Sequence, residues 1–265
     1  MLRVALAGAT GRMGLAITRE IAKLPDVDVV CALGRKGGAH IGQDIGVLAG
    51  TDELQVPVTL EPGAAEMDVM IDFSVPGAVG QHVNWCRQIS VPLLVGTTGL
   101  GAVENQAVSA ASGDIAVMYA ANTSVGINLC AALVETASRV LGEQVDIEVI
   151  EAHHRHKVDA PSGTALLLGE AAASARNQDF PACGVFAREG NTGERAAGSI
   201  GFSTIRGGNI PGEHTVMFIG ENERMEITHR VSDRGIFARG AVDAAHWLSN
   251  QSAGLYSMQD MLDLH

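Results

Sequence analysis

The first fourteen residues, MLRVALAGATGRMG, constrain the fold more tightly than any other part of the chain. Leu2 to Gly8 form a short apolar run that ends in glycine, which reads as a buried strand. The following RMGLAITREIAKL has helical spacing. Gly8, Gly11 and Gly14 therefore fall between a strand and a helix. Glycine there permits a tight turn and close approach of a phosphate, while the helix N-terminus offers unpaired N–H groups and the positive end of its dipole. The spacing is G-x-x-G-x-x-G, a variant of the dinucleotide-binding turn, and the competing reading is a turn with a structural role only.

The pattern repeats. VDVVCAL (Val27 to Leu33), DVMIDFS (Asp68 to Ser74), VPLLVGTTG (Val91 to Gly99) and DIAVMYAANTS (Asp114 to Ser124) are apolar strands with glycine-rich or polar exits. Helical segments lie at 76–90 and 101–112, and the stretch 34–67 has no clear period. Strand–helix alternation with continuously apolar strands indicates a parallel sheet covered on both faces, with ligands beyond the carboxyl ends of the strands. After Ser124 the pattern changes. VGINLCAALVETASRVLG is a long helix and QVDIEVIEAHH a strand, and a helix starts near Pro161 and runs to about Asn177. The runs GFSTIRGG, HTVMFIG and ERMEITHRVS read as successive antiparallel strands, and GIFARGAVDAAHWLSN as a final amphipathic helix.

Composition limits the function classes. With 18 basic against 30 acidic residues the formal net charge is −12. That argues against nonspecific binding to nucleic acid or an anionic membrane. Hydrophobic residues make up 46% of the chain and aromatics 4%, so the cores are built from Ala, Val, Ile and Leu. Cys31, Cys86, Cys130 and Cys183 show no framework spacing, which suits reduced thiols in the cytoplasm. The N-terminal apolar run is too short for a signal peptide, and no 18-residue apolar segment is expected to span a membrane.

Two places carry chemistry. NAD-preferring sites usually hold the ribose 2′-hydroxyl with an acid at the end of the second strand. Here that place is Gly34, followed by Arg35 and Lys36, which suits a 2′-phosphate and predicts NADPH as the preferred cofactor, with NADH possible. The other is EAHHRHKVDAPSGTAL, Glu151 to Leu166. Alternation along the strand puts Val145, Ile147, Val149, Glu151 and His153 on one face and His154 on the other. DAPSGTA has the form of a helix start, with Pro161 near the first helical position and Ser or Thr as caps. Such a start binds carboxylates. A metal held by His153, His154 and His156 and a purely structural cluster are the alternatives; adjacent residues converge poorly on a tetrahedral metal.

EAHHRHKVDAPSGTA resembles the signature of the dihydrodipicolinate reductase family, now more accurately called 4-hydroxy-tetrahydrodipicolinate reductases. The likeness extends through VALAGATGRMG, IDFS, VGTTG, AANTSVGIN, REGNTGERAAGSIGFSTIRGGNIPGEHTVMF and FARGAVDAAHWL. It implies NAD(P)H-dependent reduction of a cyclic dicarboxylate on the diaminopimelate route to lysine, by a homotetramer. It implies His153 and Lys157 as proton donors and His154, Gly163 and Thr164 as substrate contacts. On the cofactor side it implies Gly8, Ala9, Thr10, Gly11, Arg12, Met13, Arg35, Gly96, Thr97, Thr98, Ala120, Ala121, Asn122 and Thr123, with no metal. Three positions depart from many relatives: Gly34 where a Glu is common, Val75 where some have Arg, and Thr123 where Phe is frequent.

The expectation is an α/β protein. A Rossmann-like parallel-sheet cofactor domain spans residues 1–124, completed by 236–265. A second α+β domain with an open mixed sheet, for substrate and tetramer assembly, spans 125–235. The competing functions are another NADP-dependent reductase of an acidic substrate and a non-catalytic NADP sensor, which would have no use for a His–Lys pair.

Overall fold

A computed structural model describes residues 1–264. The chain divides into two compact units, Met1–Val125 with Gly235–Asp263, and Gly126–Arg234.

The first unit runs β1 (Leu2–Ala7), α1 (Arg12–Ile21), β2 (Val27–Leu33), α2 (Ile45–Ala49), β3 (Val58–Thr59), β4 (Val69–Asp72), α3 (Pro76–Ile89), β5 (Leu93–Val95), α4 (Ala102–Ala111) and β6 (Ala116–Tyr119). The second follows with α5 (Val125–Leu141), β7 (Asp146–His153), α6 (Gly163–Ala175), β8 (Gly184–Val185), β9 (Ile200–Arg206), β10 (Glu213–Ile219) and β11 (Arg224–Arg230). The chain then returns to the first unit as α7 (Gly235–Leu248), β12 (Gly254–Tyr256) and α8 (Met258–Leu262).

The seven strands of the first unit are ordered β12-β6-β5-β4-β1-β2-β3. Their pairings are all parallel. Alternation along β1 feeds two cores. Val4 and Leu6 join the one formed with Ile17 of α1 and Ala241 and Ala245 of α7. Ala5 and Ala7 join the one formed with Val79 and Val83 of α3 and Val108 of α4. Both faces are covered, which is why the strands read as unbroken apolar runs. The order reverses between β1 and β4, and the exits of those strands flank the crevice where such sheets take ligands. The unassigned stretch 34–67 contributes only a five-residue helix and a two-residue strand, both too short for a periodic signal. The strand β12, which extends the sheet beside β6, was not anticipated, because GLY offers no alternation.

In the second unit the order is β11-β10-β7-β9-β8. Here the sequence reading needs correction. β10 and β11 are antiparallel as expected, but β9 is not the neighbour of β10. It lies parallel to β7, which sits between the two. The reason is α6, which carries the chain from β7 back to the start of the sheet, and a return of that kind makes strands parallel. The 207–212 connection therefore passes over the end of β7, where Gly207 N donates to His153 O at 2.9 Å and Arg155 N to Gly208 O at 3.2 Å. One face of this sheet packs on α5 and α6 through Ile147, Val149, Phe202, Val216 and Phe218. The opposite face carries Ile150, Thr215, Met217 and Ile219, all half-buried, with Ile205 exposed.

Two further expectations change. The helix α6 begins at Gly163 with Ser162 as its cap, Oγ accepting from Ala165 N at 3.1 Å, so Pro161 precedes the cap and is not the first helical residue. The span Val125–Gln144 is, by length and composition, long and apolar enough to cross a membrane, contrary to the reading that no such segment exists. Its apolar residues serve two faces: Ile127, Ala131 and Val134 are buried, whereas Val125, Leu129, Leu133 and Val140 face outward.

Candidate active site

In the first unit, Gly8 leaves β1 with φ +74°, a left-handed conformation. A Cβ there would collide with the backbone of Phe73 at the exit of β4. Glycine is thus required both for the turn and for the approach of two strand exits. Gly11 precedes α1 in extended conformation and supplies no side-chain cap. The first N–H groups of a ten-residue helix are then offered to an anion, which fits a dinucleotide pyrophosphate.

A cavity of about 400 Å³ opens beside this turn, lined by Gly8, Thr10, Gly11, Gly34, Arg35, His40, Ile41, Val58, Phe73, Ser74, Val75 and His82, among others. Of the expected cofactor residues it gathers Gly8, Thr10, Gly11 and Arg35. Ala9 is fully buried and its N–H is taken by Leu33 O at 3.0 Å. The Met13 side chain packs on the core, and Arg12 is exposed at the start of α1. Lys36 is exposed and does not line the cavity, so the cationic wall is Arg35, with His40 beside it. Gly96, Thr97 and Thr98 follow β5, and Ala120, Ala121, Asn122 and Thr123 follow β6, on the same carboxyl edge but outside this cavity. The Thr123 hydroxyl donates to Phe237 O at 2.6 Å, so it ties the β6 exit to α7. Asn122 Oδ1 accepts from Ser124 N at 2.9 Å and shapes the same exit.

One buried group at this edge was missed. Asp72, with no exposed surface, ends β4. Its carboxylate accepts from His82 Nδ1 at 2.7 Å, Thr97 Oγ1 at 2.9 Å and Ser74 N at 2.8 Å. It thereby joins α3 to the exits of β4 and β5. Burial pushes its pKa up, but the hydrogen bonds and charge of His82 and the bonds from Ser74 outweigh that and leave it below the ordinary 3.8. An acid ending the apolar run VMID was the available signal.

In the second unit, His153 ends β7 and is 8% exposed. Its Nδ1 donates to Glu151 Oε2 at 2.5 Å. Glu151, 1% exposed, also accepts two bonds from Arg206, at 2.7 and 2.8 Å, one from Ser162 N at 3.1 Å and one from Thr204 Oγ1 at 3.2 Å. Burial pushes Glu151 up, but Arg206 and then His153 bring it below its ordinary value. For His153, burial acts first and downward, Glu151 pulls upward, and Lys157 and Arg206 push down again. The net is a pKa below 6.5. His214 from β10 meets the His153 ring edge-on at 5.1 Å and shares a hydrogen bond with Ser162 Oγ at 2.9 Å. Burial and then the His153 charge push its pKa down to about 4, so it stays neutral beside His153.

The remaining expected residues lie on the loop that follows. Lys157 Nζ is held by both oxygens of Asp159, at 2.9 and 2.8 Å, in a partly exposed pair that a competing carboxylate can open. His154 Nδ1 accepts from the backbone His156 N at 3.2 Å, which closes the turn that orients His154. Gly163 and Thr164 open α6, whose dipole favours a carboxylate. Among the described residues, no three His, Cys, Asp or Glu side chains are grouped to hold a metal ion. Glu151, Ser162, Arg206 and His214 were not singled out from sequence, although a glutamate on the buried face of β7 demanded partners.

Residues 2–123 match the family model described as dihydrodipicolinate reductase, N-terminus, and residues 126–262 match the one for its C-terminus. The fold is similar to a dipicolinate-bound dihydrodipicolinate reductase from Paenisporosarcina sp. TG-14, at 24% identity over 99% of both chains, with a TM-score of 0.77. It is more distantly similar to an amine dehydrogenase from Mycobacterium smegmatis, at 13% identity over 96% of this chain and 94% of that one, with a TM-score of 0.54. A myo-inositol dehydrogenase from Corynebacterium glutamicum ATCC 13032 is comparable, at 15% identity over 96% and 90%, with a TM-score of 0.54.

The Asp72 network makes acid stability testable. A carboxyl whose pKa is lowered on folding stabilises the native state above its ordinary value, and that contribution is lost as pH falls through the folded value. Asp72→Asn should cost about 3 kcal/mol near neutral pH and flatten the loss of stability below about pH 4. Urea denaturation across that range checks it, and an acid limb identical to wild type would remove Asp72 from the explanation.

Proposed function

Since the chain belongs to the dihydrodipicolinate reductase family, we propose that it reduces 4-hydroxy-tetrahydrodipicolinate to tetrahydrodipicolinate on the diaminopimelate route to lysine, in the cytoplasm. The family makes it an NAD(P)H-dependent oxidoreductase. The observation that carries the finer reading is the buried Glu151–His153 pair, set at the end of a strand whose next residues supply Lys157 and a helix start suited to a carboxylate. A nucleotide sensor has no use for a buried, carboxylate-held histidine of lowered pKa beside a lysine. The similar Paenisporosarcina protein was solved with dipicolinate, a dicarboxylate, which supports the substrate class.

The cofactor supplies a hydride from nicotinamide C4. Overall the ring takes up that hydride and one proton, and the 4-hydroxy group leaves as water. The chain handles the proton. His153 as imidazolium donates from Nε2, while Glu151 holds Nδ1, and a pKa below 6.5 makes it a willing donor. Lys157, released from Asp159 by the substrate's carboxylate, holds the dianion and acts as second donor. His154 and the α6 start, Gly163 and Thr164, hold the carboxylates. His153→Gln and Lys157→Ala should each reduce kcat by about a hundredfold or more while leaving NADPH affinity near wild type. NADPH oxidation with freshly generated substrate measures the first and fluorescence titration the second. Full activity in both variants would sink the mechanism.

NADPH is the preferred cofactor in this proposal. Arg35 lines the cavity, and a side chain at the place where an acid would select NADH would meet Val58 and Ile41. A Cβ on Gly34 would lie 2.7 Å from Val58 Cγ1 and 3.1 Å from Ile41 Cδ1. The dissociation constant for NADPH should be about tenfold or more below that for NADH, a gap of about 1.4 kcal/mol, and Arg35→Ala should erase most of it. Equal constants in low salt for the wild type would refute the preference.

The protein is proposed to assemble as a homotetramer. The open face of the second sheet, with Ile150, Met217, Ile219 and Ile205, is an apolar surface that intramolecular helices leave uncovered. Light scattering after size exclusion should give four chain masses, and Ile150→Glu should lower that number. A monomeric wild type at micromolar concentration would contradict it.

A further inference from the structure

We propose that Glu151 and Arg206 are a coupled positioning pair for His153, in which Glu151 fixes the ring and Arg206 limits how strongly the imidazole is held in its charged form. The inference rests on the reading of His153 as proton donor and goes beyond it by naming the groups that set its tautomer and acid strength.

The tautomer follows from geometry. Glu151 Oε2 lies 2.5 Å from His153 Nδ1, and a carboxylate can only accept, so Nδ1 carries the proton and Nε2 is the atom left to work. The chain leaves space beside that atom. The residue facing it is Gly212, where a Cβ would stand 3.1 Å from Nε2. Any larger residue would crowd the exchanging proton.

Acid strength follows from how Glu151 is shared. A carboxylate bonded to one histidine alone would make the imidazolium a reluctant donor, because the ion pair favours the charged ring. Arg206 prevents this by taking both oxygens of Glu151, one of them the oxygen that binds His153. It is fixed by more than Glu151, since Nη2 also donates to Asp159 O at 2.6 Å and Nη1 to Ile205 O at 2.8 Å. The other charged and titratable groups facing His153 are few. Lys157, Asp159 and His154 stand on the following loop. His214 faces it from β10, with His229 directly opposite His214 on β11. Burial lowers the His153 pKa most, Glu151 raises it, and Lys157 and Arg206 both lower it further. Removing the Arg206 charge therefore moves His153 in one direction only, upward.

Long-range ¹H–¹⁵N spectra of histidine-labelled protein read tautomer and titration directly, with His153→Gln to assign the signal and without reliance on turnover. In the wild type the His153 ring should be protonated at Nδ1 when neutral. Arg206→Gln should raise its titration midpoint by about one pH unit or more, and the basic limb of kcat/KM should move with it while kcat falls. Arg206→Lys, which keeps the charge but loses the fork, should give a smaller shift in the same direction. It decides the matter if Arg206→Gln does not fold by circular dichroism. An Nε2-protonated neutral ring, or a midpoint unchanged in the folded Arg206 variant, overturns the proposal. Should the midpoint move as expected while His153→Gln keeps full activity, the pair still tunes His153 and it is the donor assignment that fails.

Discussion

A carboxylate buried at the end of a strand is the interaction on which each unit's site depends. In the second unit it is Glu151, 1% exposed and bonded to His153, Arg206, Ser162 and Thr204. In the first it is Asp72, unexposed and bonded to His82, Ser74 and Thr97. The two share a pattern of histidine Nδ1, threonine hydroxyl and backbone N–H. A buried charge without partners costs several kcal/mol, so each carboxylate enforces the arrangement of the chain segments that supply its donors. For Asp72 those are α3 and the exits of β4 and β5. For Glu151 they are the end of β9 and the cap of α6. The difference between the two is Arg206. Asp72 has no guanidinium, and its histidine reaches the cavity lining while it braces α3 against the β4 exit. Glu151 has one, and its histidine ends the strand with Nε2 facing a glycine.

The same economy of space operates around the cofactor cavity. Gly8 lets β1 approach the β4 exit, and the α1 N-terminus is left without a side-chain cap, an end suited to an anion. At the second strand, Val58 and Ile41 crowd Gly34. The absence of an acid there is thus a packing outcome as well as an electrostatic one. A Glu at that position would need those two side chains to move before it could meet a ribose hydroxyl.

What the sequence disclosed follows from the range of the interactions involved. The glycine turn, the parallel sheet and the buried face of β7 are local patterns with periods of two or 3.6 residues, and each was legible. His153 was read on the same face as Glu151, which is where it stands. Arg206 was not legible as its partner, because it lies 55 residues away and reaches Glu151 only through the parallel pairing of β7 with β9. That pairing was itself misread, since α6 had to be recognised as a crossover before β9 could be placed. His82 and Thr97 converge on Asp72 across 10 and 25 residues for a similar reason. Lys36 differs from its neighbour: proximity in sequence to Arg35 suggested a shared task, and of the two only Arg35 lines the cavity.

Charge placement in the second unit is what the proposed anion site draws on. The chain carries a net −12, yet within Glu151 to Lys157 Arg155 and Lys157 stand against one glutamate, and that glutamate is neutralised by Arg206. An approaching dianion therefore meets a positive patch in a negative field, a contrast that favours capture there over loose binding elsewhere. Asp159 tempers the patch by holding Lys157 in a partly exposed pair worth about 1 kcal/mol or less. A bound carboxylate can replace it at small cost, whereas it cannot displace Glu151 from Arg206 without unpairing a buried charge. In the proposed mechanism the labile pair and the fixed pair thus divide the work: Lys157–Asp159 yields to a carboxylate, and Glu151–Arg206 holds His153 still.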